Sequence, residues 1–164
     1  CYGAPRDLHS FPTRRSSDLN EQIQFSAFLA DPELKLEYNS MLYVRFTVPE
    51  GLHIYADPLP DGFIATTVSV NPMKGLTIGE PRYPPTELLA FAALDVELPV
   101  YSGVVDVAIP ITANADVLNW TLRDKPDSLK LGIDVRYQVC SDVFCYLPKL
   151  EHLTMTVPLG PLVR

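Results

Sequence analysis

The sequence lacks any long apolar run, any cluster of basic residues and any dense set of cysteines. No run approaches the ~18–20 apolar residues that span a bilayer, so we expect no direct membrane insertion of this segment. The net charge of −7 argues against nucleic acid as a partner, because phosphate binding needs clustered lysine and arginine. Three cysteines are too few for the disulfide framework of a small secreted protein.

Long helical patterns are also scarce, and 16 prolines favour short strands joined by irregular loops. Alternating apolar and polar residues predict strands over 22–30, 41–48, 52–55, 63–70, 76–78, 100–111, 129–139 and 150–159, with 76–78 as a short edge strand. In the strands 41–48 and 129–139 one face is apolar, and we expect it to point inward: Leu42, Val44, Phe46, Val48, Leu131, Ile133, Val135 and Tyr137. Residues 87–94 suit either helical turns or a loop or short hairpin with exposed apolar residues, and their setting between strands favours the latter. The pattern predicts an all-β fold, an immunoglobulin-like antiparallel β-sandwich.

The first nineteen residues show neither helical nor strand periodicity. The stretch from His9 to Leu19 resembles the conceptual translation of a common sequencing adapter. We therefore expect residues 1–19 to be a non-native or disordered segment and residues 20–164 to form one domain. Cys1 and His9 then drop out as functional candidates.

The remaining cysteines, Cys140 and Cys145, are separated by four residues. A structural disulfide is one interpretation, although closing so short a loop stabilises by only ~2 kcal/mol. A zinc site is weakly supported, since zinc needs about four ligands and only His53 and His152 could add to the pair. Reversible thiol–disulfide exchange is the third, because close spacing at a strand end leaves one sulfur reachable. The residues alone leave the structural bridge and the exchange pair open.

The residues around the pair carry a resemblance to a known family. The block reads Tyr137-Gln138-x-Cys140-x-Asp142-x-x-Cys145-Tyr146-x-Pro148. A second block, Gly51-Leu52-His53-Ile54-Tyr55, lies about ninety residues upstream, and Val100-Tyr101-Ser102-Gly103 agrees more loosely. Together they resemble the N-terminal periplasmic domain of the thiol:disulfide interchange protein DsbD over roughly residues 21–160. Two departures stand out: the best-known members have one residue more between the cysteines, and Leu147 stands where many have a proline.

The resemblance implies a protein-disulfide reductase module that works through Cys140 and Cys145 without a cofactor or metal. The transmembrane domain of the same protein would reduce the pair. The pair would then reduce thioredoxin-like periplasmic proteins: a disulfide isomerase or a cytochrome c maturation factor. Cys145 is expected to be the nucleophile and Cys140 the resolving thiol, in a bacterial periplasmic domain tethered to the inner membrane. The opposing hypothesis is a non-catalytic adhesion or assembly sandwich with an inert hairpin disulfide.

Five further residues are expected to form or tune the pocket around the pair: Asp142, His53, Tyr55, Tyr137 and Phe91. A carboxylate at Asp142 would keep the pKa of a nearby thiol raised, but an aspartate there equally suits a turn. His53 and Tyr55 would line the pocket or form a half-buried strand face. Phe91 would cap the disulfide or pack into the core. Trp120 and Phe144 are interpreted as packing residues.

Overall fold

A computed structural model describes residues 23–91, 95–119, 128–141 and 145–161. Within these ranges the chain forms eleven strands and one helical turn. They are β1 Gln24–Leu29, β2 Asn39–Val48, β3 His53–Tyr55, β4 Thr67–Val70, β5 Leu76–Ile78, β6 Glu87–Phe91, β7 Val96–Tyr101, β8 Gly103–Ala113, α1 Asp116–Asn119, β9 Ser128–Tyr137, β10 Val139–Cys140 and β11 Lys149–Pro158. The expectations for residues 1–19, Trp120, Asp142 and Phe144 lie outside the described residues.

Two antiparallel sheets build the sandwich, with strand orders β1-β2-β8-β5 and β11-β9-β4. Their inner faces alternate with outer faces because successive side chains on a strand point to opposite sides. The predicted inward residues of β2 and β9 are all buried in one shared hydrophobic cluster: Leu42, Val44, Phe46, Val48, Leu131, Ile133, Val135 and Tyr137. The predicted all-β immunoglobulin-like sandwich is thereby confirmed, including β5 as an edge strand.

A third sheet, with strand order β10-β3-β7-β6, has a different core on each face. Ile54, Tyr101 and Val139 point into the sandwich cluster. On the opposite face Tyr55, Val100 and Cys140 join a second, smaller cluster. Because side chains alternate along the strands, one face of this sheet packs against the sandwich core and the other face carries Cys140.

Two predicted strands are confirmed as β structure, but their continuity was wrong, because each is divided between two sheets. Within the predicted strand 100–111, β7 ends at Tyr101 and β8 begins at Gly103. Gly103 has a φ of 68°, a backbone conformation that favours glycine. The run 129–139 ends as β9 at Tyr137, and β10 begins at Val139, so that Gln138 lies at the switch. Both switches carry the chain between the sandwich and the third sheet.

Two other segments test the sequence prediction: residues 63–66 depart from it, and residues 87–91 follow one of its two alternatives. Residues 63–66 were expected to be strand, but only Thr67–Val70 is. The amides of Ile64 and Thr66 instead donate to the Gln138 side chain and to the Tyr55 carbonyl. Residues 87–91 pair with 96–100 as the arm of a hairpin, as the favoured alternative expected, and Leu88 on it is 68% exposed.

Candidate redox site

The cysteine pair is joined as a disulfide between Cys140 and Cys145. Cys140 is the last residue of β10, and Cys145 returns to form an isolated bridge with it. The amide of Tyr146 donates to the Val139 carbonyl at 2.9 Å, which closes the hairpin beyond the second cysteine. The short spacing and the hairpin together bring the two sulfurs within bonding distance.

The two sulfur-bearing residues differ in exposure. Cys140 is only 1% exposed and packs in the smaller cluster, whereas Cys145 is exposed. An attacking thiolate must approach its target sulfur along the S–S axis, so access decides which sulfur reacts. Of the two sulfurs, the one on Cys145 is therefore the one that a large reactant can approach.

Tyr55 is the polar contact of the exposed cysteine. Its hydroxyl lies 3.1 Å from Cys145 Sγ, and because a disulfide sulfur carries no proton, the hydroxyl is the donor. The ring itself is 1% exposed, and its burial raises the pKa of Tyr55 above the ordinary value of 10. The hydroxyl therefore stays protonated, and able to donate, throughout the neutral pH range.

Aromatic rings surround Tyr55. Phe63 meets it edge to face with ring centroids 5.1 Å apart, and Phe91 lies tilted at 6.0 Å. Phe91 projects from β6, which with β7 carries Leu89, Leu98 and Val100 into the same cluster. These side chains of β6 and β7 form an apolar wall beside Tyr55, on the sheet face that carries Cys140.

Gln138 ties the cysteine hairpin to its surroundings. Its side chain is 8% exposed, accepts a hydrogen bond from the Ile64 amide at 3.0 Å and donates one to the Tyr146 carbonyl at 3.1 Å. One side chain therefore links the residue after Cys145 to the segment that follows β3. Gln138 belongs to the quoted motif, yet no role was assigned to it. Its position in the motif, two residues before Cys140, was the available signal.

His53 lies next to the buried cysteine. It pairs with Cys140 in the register of β3 and β10, which puts both side chains on one face of the sheet. The half-buried ring has its Nδ1 atom fully buried, without a hydrogen-bond partner among the residues the structure describes. A buried donor or acceptor left without a partner costs about 1–3 kcal/mol, so it calls for an explanation.

The structure brings four of the seven expected site residues into one cluster with Phe91 at its edge: Cys140, Cys145, His53 and Tyr55. Tyr137 lies elsewhere, because its position on β9 turns its ring into the sandwich core, where it packs on Phe25 at 5.3 Å. Asp142 is outside the described residues. Phe63, which the sequence did not single out, joins the site from a segment expected to be strand.

Metal binding finds no support in this arrangement. In the described part of the chain, no group of three or more histidine, cysteine or acidic residues could hold a metal ion. The same ranges contain no helix long and apolar enough to cross a membrane.

Comparison with known proteins points to one family. The model of the N-terminal domain of the thiol:disulfide interchange protein DsbD matches residues 23–156. The crystal structure of the Neisseria meningitidis DsbD N-terminal domain, in the reduced form, is similar with a TM-score of 0.50 and 16% identity, covering 82% of this chain and 85% of that one. The N-terminal periplasmic domain of ScsB from Proteus mirabilis is similar with a TM-score of 0.53 and 12% identity. That match covers 96% of this chain but 49% of the other. No curated protein sequence matches.

Proposed function

Because the chain belongs to the family of the DsbD N-terminal domain, we propose that it is a protein-disulfide reductase module that passes reducing equivalents through Cys140 and Cys145. The family's chemistry is thiol:disulfide interchange by a cysteine pair. The observation that carries the proposal is the asymmetry of the pair: Cys145 is exposed and hydrogen-bonded by Tyr55, while Cys140 is buried beneath it. An inert hairpin disulfide needs no such asymmetry.

In the loading step, a thiolate of the electron donor attacks Cys145 Sγ. The bond between Cys145 and Cys140 breaks, a donor–Cys145 disulfide forms, and Cys140 leaves as a thiolate that takes up a proton. The donor's second thiolate then attacks the donor sulfur that is bonded to Cys145 in the mixed disulfide. This releases Cys145 as a thiolate next to the Tyr55 hydroxyl, so the donor is oxidised and this domain holds two thiols.

In the unloading step, the Cys145 thiolate attacks the disulfide of an acceptor protein and displaces one acceptor sulfur as a thiolate. Cys140 loses its proton and attacks Cys145 Sγ, which re-forms the Cys140–Cys145 disulfide and releases the reduced acceptor. The Tyr55 hydroxyl bonds to Cys145 in the disulfide and would donate to the thiolate that reduction leaves there. Hydrogen bonds to charged groups contribute about 1.5–3 kcal/mol. That contact therefore favours the thiolate that must attack.

The surroundings of Cys145 favour a protein as the reactant. Leu147, two residues further on, is 84% exposed, so a surface that reaches the sulfur also meets this side chain. We propose thioredoxin-like periplasmic proteins, a disulfide isomerase or a cytochrome c maturation factor, as acceptors. The donor would be a transmembrane domain of the full-length protein. The domain would then work in the bacterial periplasm, tethered to the inner membrane.

A trapping experiment tests this function. Cys1 is first replaced by serine in every variant, so that the pair supplies the only cysteines of the chain. The Cys140→Ser variant is then mixed with a thioredoxin-like protein whose single active-site cysteine carries a 2-nitro-5-thiobenzoate group. Attack by the Cys145 thiolate should release the coloured thiol and leave a stable protein–protein disulfide. Cys145→Ser is the matched control and should react far more slowly, because Cys140 is buried. A native disulfide with a potential below about −300 mV, together with no trapped complex, would favour the inert module.

A further inference from the structure

The buried cysteine poses a chemical problem that the exposed one does not. When the disulfide opens by attack on Cys145, the leaving Cys140 sulfur carries a negative charge in a site only 1% exposed. Its neighbours in the smaller cluster are apolar or aromatic: Tyr55, Leu59, Phe63, Leu89, Phe91, Leu98 and Val100. Burying an unpaired charge in such surroundings is unfavourable unless it is paired or neutralised. Rapid exchange therefore needs a nearby proton source for Cys140.

His53 is the described residue placed to supply it. As the direct cross-strand partner of Cys140, it shares a sheet face with that cysteine, and the Cβ atoms of such pairs lie ~4.5–5.5 Å apart. That separation lets an imidazole reach the sulfur directly or through one water. The buried Nδ1 has no partner among the described residues, so its proton site is not committed to a structural hydrogen bond. Because the ring is only half-buried, it can exchange protons with solvent.

We propose that His53 is the acid–base partner of Cys140, a role that rests on the exchange function above. When the disulfide is opened, the imidazolium of His53 gives a proton to the departing Cys140 thiolate and becomes neutral imidazole, which is then reprotonated by solvent. In the opposite direction, neutral His53 takes the proton from the Cys140 thiol, whose thiolate attacks Cys145 Sγ. Tyr55 serves the exposed sulfur and His53 serves the buried one, so each cysteine has its own polar partner.

Other titratable groups lie on the sheet face that carries Cys140, and their effect on the reaction must be distinguished from that of His53. Tyr55 is the other one on β3, but burial raises its pKa above 10, so it keeps its proton in the neutral range. Glu87 on β6 accepts a hydrogen bond from Ser102 Oγ at 3.1 Å. The inward residues of β7 on this face, Leu98 and Val100, do not titrate.

The test measures how fast excess dithiothreitol reduces the Cys140–Cys145 disulfide between pH 5.5 and 8.5. Samples are acid-quenched and alkylated, and each rate is divided by the concentration of dithiothreitol thiolate. In the wild-type protein the corrected rate should fall by up to roughly 100-fold from the acidic to the alkaline end of this range, because only a protonated imidazole can act as the acid. In His53→Asn, which keeps a polar group near the Nδ1 position but cannot titrate, the profile should be flat at the lower value.

Two control variants should retain the wild-type profile. His152→Asn removes an exposed histidine that pairs with Asp134 in the sandwich, and Glu87→Gln removes the carboxylate on the site face. A purely structural role of His53 would change the rate equally at every pH. If His53→Asn does not fold, the wild-type profile and His53→Gln decide the matter.

The two proposals fail in different ways. A wild-type profile without an inflection, or an unchanged inflection in a folded His53 variant, overturns the role of His53 while the exchange function stands. A disulfide that dithiothreitol does not reduce at any pH, or Cys145 that fails to trap a partner, overturns the exchange function itself.

Discussion

Replacing Tyr55 by phenylalanine removes one hydroxyl and leaves the packing of the ring in place. The hydroxyl lies 3.1 Å from Cys145 Sγ, and its loss takes a hydrogen bond from the thiolate of the reduced protein. Such a bond contributes about 1.5–3 kcal/mol when one partner is charged. Because Cys145 is exposed and water can replace part of the contact, the lower figure applies. An effect of about 1.4 kcal/mol corresponds to roughly ten-fold less thiolate at a given neutral pH.

The rate of reaction changes less than the thiolate population does. A thiolate that is less stabilised is more nucleophilic, with a Brønsted coefficient of about 0.4–0.5, so each remaining thiolate reacts roughly three-fold faster. At neutral pH the variant should therefore react roughly three-fold more slowly than the wild type. At alkaline pH, where both are fully ionised, it should react roughly three-fold faster. The two rate profiles should cross, with the midpoint displaced upward by about one pH unit.

The rate of alkylation by iodoacetamide, followed by mass spectrometry from pH 6 to 10.5, measures this difference. The background carries both Cys1→Ser and Cys140→Ser, so that Cys145 is the one remaining thiol of the chain. Tyr83→Phe is the matched control, because its hydroxyl accepts a hydrogen bond from the Val68 amide at 3.0 Å, outside the redox site. It should lose stability without changing the alkylation profile. Superimposable profiles for Tyr55→Phe and wild type, or a uniform slowing without a crossing, would refute the assignment of Tyr55 as the donor to Cys145.

Two further predictions concern the residues that support and cover the disulfide. Gln138→Leu leaves the Ile64 amide and the Tyr146 carbonyl without their partner, so urea unfolding should show a loss of about 2–4 kcal/mol; an unchanged midpoint would contradict the linking role. Phe91→Ala opens the apolar wall beside Tyr55, so glutathione should reduce the disulfide several-fold faster. The control Phe28→Ala removes a ring stacked on Tyr43 in the sandwich and should not change the rate of reduction. Equal rates for both phenylalanine variants would mean that Phe91 does not shield the site.

Strand alternation predicted the sandwich because burial on one face repeats every second residue, and that period is visible in the sequence. The buried faces of β2 and β9 were obtained residue by residue in this way. The same signal could not show where a run passes from one sheet to another. The apolar residues on the two sides of each switch, Tyr101 and Val105 at the first and Tyr137 and Val139 at the second, enter the same sandwich cluster. The apolar pattern therefore runs on through both switches, and only the hydrogen-bond partners of the flanking strands change.

The two cysteines, their close spacing and the family motif around them can be seen in the amino-acid sequence, as can the upstream block that carries His53 and Tyr55. The sequence does not show which sulfur is exposed, which residue bonds to it or which titratable ring lies opposite the buried one, and these follow from the fold. Spacing along the chain limits which cysteines can join. Burial and hydrogen bonding depend instead on strands about ninety residues apart that meet through sheet register. Tyr137 and Tyr55 illustrate this, since both tyrosines belong to the motif blocks but register turns one into the core and the other onto the sulfur.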